Sequence, residues 1–160
     1  MNKVDVIKAI VFLLESQYTT AIMAAKQAHN TATDNETVAE NKYDTFALEA
    51  SYLAHGQSQR VIDCENDLRR FKTLPIKNFE EDSPIEVGAI VTLMAADNKS
   101  KHYFIGPSCG GLKVVVAQQD YMVISPQSAL GQSLIGKYLD DDVVIPVAGI
   151  AVTHEISQIL

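Results

Sequence analysis

Seventy-four consecutive residues contain no proline and a single glycine, Gly56. Such a run, free of helix breakers, is committed to long helices. Stepping from Val4 by alternating threes and fours gives Val4, Ile7, Val11, Leu14, Tyr18, Ala21, Ala25, Ala28 and Ala32. A second series runs Tyr43, Ala47, Ala50, Ala54, Gln57, Val61, Cys64, Leu68 and Phe71. Only Gln57 is polar, and this spacing is the seam of a coiled coil. The two series mirror one another about a point between Thr37 and Val38: Val4 faces Phe71, Leu14 faces Val61, Ala21 faces Ala54 and Ala32 faces Tyr43. The spacing therefore predicts an antiparallel helical hairpin over residues 1–74. At 1.5 Å per residue its arms are about 45 Å long. Large residues meet at the base and alanines toward the tip, where the helix axes can approach closely. Two amphipathic helices also suit a bundle, but no third long helix follows to complete one.

The rest of the chain is punctuated differently. Residues 75–160 hold the other seven glycines and all five prolines. Residues 75–84, with Pro75, Pro84 and Glu80-Glu81-Asp82, read as a linker. Strands are expected over 85–95, 102–105, 112–117, 121–125, 143–146 and 150–159, with turns at 97–100, 118–120 and 148–149. A short helix is expected over 127–135, opened by Pro126 and closed by Gly136. The expected architecture is α+β: an antiparallel sheet with one helix on a face.

Charge narrows the partners. With 13 basic and 20 acidic residues the net charge is −7, a poor basis for gripping phosphates directly. The longest apolar run, residues 9–14, is too short to span a bilayer, and no secretory cleavage pattern follows it. A cytoplasmic protein without membrane attachment is the expectation. Cys64 and Cys109 stand apart and make neither a zinc site nor a disulfide framework.

Chemistry concentrates in the expected tip. Asp34, Glu36 and Glu40 fall within ten residues, and Asp44 follows one turn after Glu40. Four carboxylates so placed suit a hard cation such as Mg²⁺, which prefers oxygen ligands. Helix capping and the helix dipole account for the same residues without a metal. Residues 106–111 (GPSCGG) fit an anion-binding or nucleophile loop, or a plain glycine-rich turn. They match neither a phosphate-binding loop nor a nucleophile elbow. His29, His55, His102 and His154 lack metal-ligand spacing.

Residues 125–137 (SPQSALGQSLIGK) and the turn Asp141-Asp142-Val143 resemble the signature helix and turn of the Gre family of bacterial transcript-cleavage elongation factors. Residues 87–93 (VGAIVTL) are similar to the first strand of that family's C-terminal domain, and residues 156–159 to its last. The resemblance covers nearly the whole chain. It implies an FKBP-like C-terminal domain that docks on RNA polymerase at the rim of the secondary channel, through the segment carrying Ser125, Pro126, Gln127, Leu130 and Gly131. It also implies a monomer whose hairpin enters the channel, and no sequence-specific contact with nucleic acid. Acidic tip residues (Asp34, Glu36, Glu40 and Asp44, with Glu36 and Glu40 as ligands) would share the polymerase's catalytic Mg²⁺ so that backtracked RNA is hydrolysed. Glu40-Asn41 matches the family's tip pattern, and Thr37 stands where the family has its first acid. The competing expectations are a Gre-like regulator that occupies the channel without cleavage, and a peptidyl-prolyl isomerase. The second needs an aromatic-lined pocket, which a domain without tryptophan is ill supplied to build.

Overall fold

The computed structural model describes residues 2–33, 46–80, 82–147 and 150–160. Two long helices come first, α1 (Lys3–Thr33) and α2 (Phe46–Lys72). They are followed by β1 (Ile90–Ala95), β2 (Ser100–Ile105), β3 (Lys113–Val116), β4 (Gln119–Ile124), a short α3 (Ala129–Leu134), β5 (Asp142–Val147) and β6 (Ile150–Ile159). The chain thus forms a helical hairpin and a sheet domain with one helix. The expected turns near residues 37 and 148 lie outside the described residues.

The chain divides into two compact units. One comprises Phe12–Arg69; the other joins Met1–Val11 to Arg70–Leu160. In the first, the seam is visible in burial. Leu14, Ala21, Ala28, Ala50 and Leu68 are buried, and Tyr18, Ala25, Ala32, Ala54, Gln57, Val61 and Cys64 are half-buried. Two clefts show the direction of pairing. Ser16, Gln17, Thr20, Ala21 and Ala24 share one with Gln57 and Arg60. Ala24, Gln27, Ala28 and Thr31 share the next with Ala50, Leu53 and Gln57. As α1 advances α2 retreats, so the helices are antiparallel. By length and composition α1 is also apolar enough to cross a membrane, which the short run at residues 9–14 did not convey. Residues off the seam, among them Val6, Ile10, Phe12, Leu13 and Ile22, carry more of that apolarity than the seam does.

The second unit is built on a six-stranded sheet ordered β3-β4-β2-β1-β6-β5. The sheet is mixed, not wholly antiparallel as the sequence suggested: β2 and β4 run parallel, pairing His102 with Tyr121 and Phe104 with Val123. The hairpin of β3 and β4 supplies the connection that a parallel pair requires. One face of the sheet carries Val91, Leu93, Tyr103, Ile105, Ile124, Val143 and Ile156, buried with Ile85 and with Leu134 of α3. On the other face Ile90, Phe104 and Val123 are aligned by register. There the ring of Phe71, 1% exposed, meets that of Phe104 at 6.1 Å. Val6, Ile7 and Ile10 are buried in the same unit. Ile10 therefore has an intramolecular place, whereas Phe12 is 74% exposed.

The start of α1 is tied to the segment before the sheet. Asn2 Oδ1 accepts from the Val4 amide at 3.0 Å. The Lys3 ammonium donates to the Lys77 carbonyl and lies 4.4 Å from the centre of the Phe79 ring. Its partial burial lowers the Lys3 pKa to about 8.

Candidate functional site

The segment after β4 is the best-defined candidate. The sequence places Pro126 at the helix opening, but the helix begins later, at Ala129, with Ser128 as its cap. Ser128 Oγ accepts from the Gly131 amide at 3.0 Å and donates to the Ser125 carbonyl at 2.8 Å. The Ser128 amide bonds to that same carbonyl at 3.1 Å. One hydroxyl therefore satisfies a free helix-end donor and closes the turn at 125–128. At the other end the Ile135 amide bonds to Gly131 O at 2.9 Å, and Gly136 takes a φ of +80°. That conformation favours glycine and ends the helix. The Gly136 amide then bonds to Ile85 O at 2.9 Å, and the Ile85 amide to Lys137 O at 2.8 Å. The segment is fixed at both ends.

The five residues proposed for docking have different surroundings. Gln127 is exposed, Ser125 and Pro126 are half-buried, Leu130 packs against the core and Gly131 is buried. Gln127 alone of the five stands out from the surface, beside exposed Ala129 and Gln132. Leu130 and Gly131 hold the turn in place. Two exposed apolar residues that the sequence did not mark for docking follow in the chain: Ile135 at 39% and Tyr138 at 47% exposure.

The acidic residues Asp34, Glu36, Glu40 and Asp44 lie outside the described residues, between Thr33 of α1 and Phe46 of α2. Among the described residues no group of three or more His, Cys, Asp or Glu side chains is placed to hold a metal. Approaching the tip, Thr31 and Thr33 each donate to the carbonyl four residues earlier, Gln27 O at 3.1 Å and His29 O at 3.0 Å. Their hydroxyls are absorbed within the helix.

The other candidates resolve into structure. Cys109, at φ +58°, sits in a turn closed by the Leu112 amide bonding to its carbonyl at 3.1 Å. His29 and His55 are exposed. His102 and His154 are buried; Thr92 Oγ1 lies 2.9 Å from His102 Nδ1, and Val152 O lies 3.1 Å from His154 Nδ1. Burial depresses the His102 pKa.

No family model and no curated protein matches the sequence. Among solved structures, the chain is similar to the GreA factor homolog 1 (Gfh1) protein of Thermus thermophilus, at 16% identity over 94% of each chain and a TM-score of 0.38. It is similar also to Thermus aquaticus Gfh1, at 18% identity over 95% of this chain and 94% of the other, with a TM-score of 0.39. A third is the prokaryotic transcription elongation factor GreA/GreB from Nitrosomonas europaea, at 14% identity over 70% and 91%, with a TM-score of 0.36.

Proposed function

We propose that this protein is a Gre-type transcription factor. It docks on RNA polymerase through the surface around Ser125–Gly131, inserts its helical hairpin into the secondary channel, and stimulates cleavage of backtracked RNA. The observation that carries the reading is the graded seam of the hairpin. Its buried contacts run from Leu14 and Leu68 to Ala21, Ala28 and Ala50. Alanine contacts bury little apolar surface and stabilise weakly, so such helices serve a reach that compactness would not supply. The fixed turn at Ser128 supports docking, because a rigid surface costs less ordering on association. The chain works as a cytoplasmic monomer, and its −7 charge keeps it from gripping nucleic acid on its own.

In this reading the polymerase performs the chemistry. Glu36 and Glu40, aided by Asp34 and Asp44, supply carboxylate oxygens of the kind Mg²⁺ prefers. The shared ion supplies charge stabilisation and an activated water when bound. Glu36 and Glu40 would hold that ion, and Asp34 and Asp44, not committed to it, would orient the water and take up its proton.

Thr37, standing where the Gre pattern has an acid, favours a second reading in which the hairpin occupies the channel and modulates transcription without cleavage. Backtracked elongation complexes distinguish the two. Shortened RNA on addition of the protein, lost in Glu36→Ala or Glu40→Ala, supports cleavage. Polymerase binding with RNA of unchanged length establishes the occupant. Absence of binding rejects both.

A further inference from the structure

The sheet domain has a cavity that the transcription reading does not use. It is an open cleft of about 240 Å³ at the β3–β4–β2 side of the sheet, and its lining includes Lys101, Tyr103, Lys113, Asp120 and Met122. Register places Lys113, Met122 and Tyr103 abreast on three neighbouring strands. Lys101 and Asp120, two residues before Tyr103 and Met122, share that face by strand alternation.

Charge makes the place unusual. The sheet domain is strongly acidic, with five basic residues among residues 75–160. Lys77 is paired with Glu86 and Lys99 with Asp97, each at 2.7 Å. Two of the remaining three, Lys101 and Lys113, line this one cavity, and neither has an ion-pair partner among the described residues. Tyr103 is 7% exposed, and its phenol has no hydrogen-bond partner among the described residues. Burial raises its pKa, so the phenol remains a proton donor. Two ammonium groups and an unused phenol beside the apolar side chain of Met122 form a donor set that outnumbers the one carboxylate of the lining, Asp120.

We propose that this cavity binds an oxyanion, phosphate or carboxylate, carried on a small apolar or aromatic body. Lys101 and Lys113 hold the oxyanion, Tyr103 donates to it, and Met122 receives the body. Asp120 opposes the anion and sets an upper limit on affinity. Size restricts the ligand to a small molecule or a single side chain, since drug-sized ligands occupy about 300–1,000 Å³.

The test is a titration of the full chain followed by amide NMR, with phenyl phosphate, benzoate and neutral benzyl alcohol as probes. One or both anions should produce saturable shifts at Lys101, Tyr103, Lys113 and Met122, and the better-binding anion identifies the natural group. Lys101→Ala/Lys113→Ala should weaken binding at least tenfold. Asp120→Asn should tighten it a few-fold, an effect that a merely structural role for these residues would not produce. All three side chains belong to exposed residues, so these variants should fold, and the same spectra confirm it. Equal shifts from benzyl alcohol, shifts centred elsewhere, no saturation by either anion, or unchanged affinity in Asp120→Asn would each overturn the proposal.

Discussion

Gly131 lies against the backbone of Ser125 so closely that a Cβ on Gly131 would sit 2.0 Å from the Ser125 carbonyl oxygen. The obstruction is backbone, and the same oxygen accepts from the Ser128 hydroxyl and amide, so it cannot move aside cheaply. Gly131→Ala should cost about 3 kcal/mol or more, at the severe end of single substitutions. Ser128→Ala, which removes only the cap, should cost about 1 kcal/mol. Thermal melts of the two variants check the ranking. If the turn is the docking surface, Gly131→Ala should also lose polymerase binding at temperatures where it is still folded.

The hairpin from β3 to β4 turns through Ala117 at φ +50° and Gln118 at φ +63°. Both central residues are left-handed, as in the turns that match strand twist, yet neither is Asn, Asp or Gly. Left-handed backbone costs an ordinary residue about 1–2 kcal/mol. Ala117→Asn/Gln118→Gly should therefore stabilise the protein by about 1 kcal/mol, read as a rise of about 2–4 °C in Tm for a chain of this size. An unchanged or lowered Tm would contradict this account of the turn.

Phe71 joins the end of α2 to the sheet. A Cβ on Gly106 would come within 2.9 Å of its ring and 2.7 Å of Val123 Cγ1. Phe71→Ala should cost about 3–5 kcal/mol through the cavity it leaves. Phe12→Ala, at a position 74% exposed, should change stability by no more than about 0.5 kcal/mol. Denaturant unfolding of both variants measures the difference.

His102 provides a pH dependence with a definite sign. Burial lowers its pKa in the folded state below the usual value near 6.5. As pH falls, the unfolded chain takes up this proton first. The contribution is therefore complete above about pH 6.5 and is lost as pH falls through 6.5 toward the folded value. Tm should drop between pH 7.5 and 5.5, and His102→Gln should flatten that slope. An equal slope in the variant would assign the effect to other groups.

The helical part was legible because its signal is repeated. Each described seam position is at least half-buried, since a contact recurring every three or four residues leaves little choice of face. The sheet was legible strand by strand but not in its pairing. Nothing local to residues 102–105 and 121–124 records that they lie side by side and parallel; that depends on where the intervening hairpin folds. Residues 85–89 look like the start of β1, yet the strand begins only at Ile90 because Gly88 turns at φ +98°. The candidate docking residues were recognisable as a segment, but not by exposure. Leu130 packs against the core and Gly131 is buried, while Ile135 and Tyr138, further along the chain, are exposed.

The taper of the seam from leucine to alanine has a kinetic consequence. Each helix turn held by an alanine opens at a smaller free-energy cost than one held by Leu14 or Leu68. Amide hydrogen exchange should consequently quicken steadily along α1 from Leu14 to Ala28, and along α2 in the opposite direction from Leu68 to Ala50. The hairpin would then loosen from its alanine end while its leucine end stays closed, breathing in one direction without unfolding the sheet.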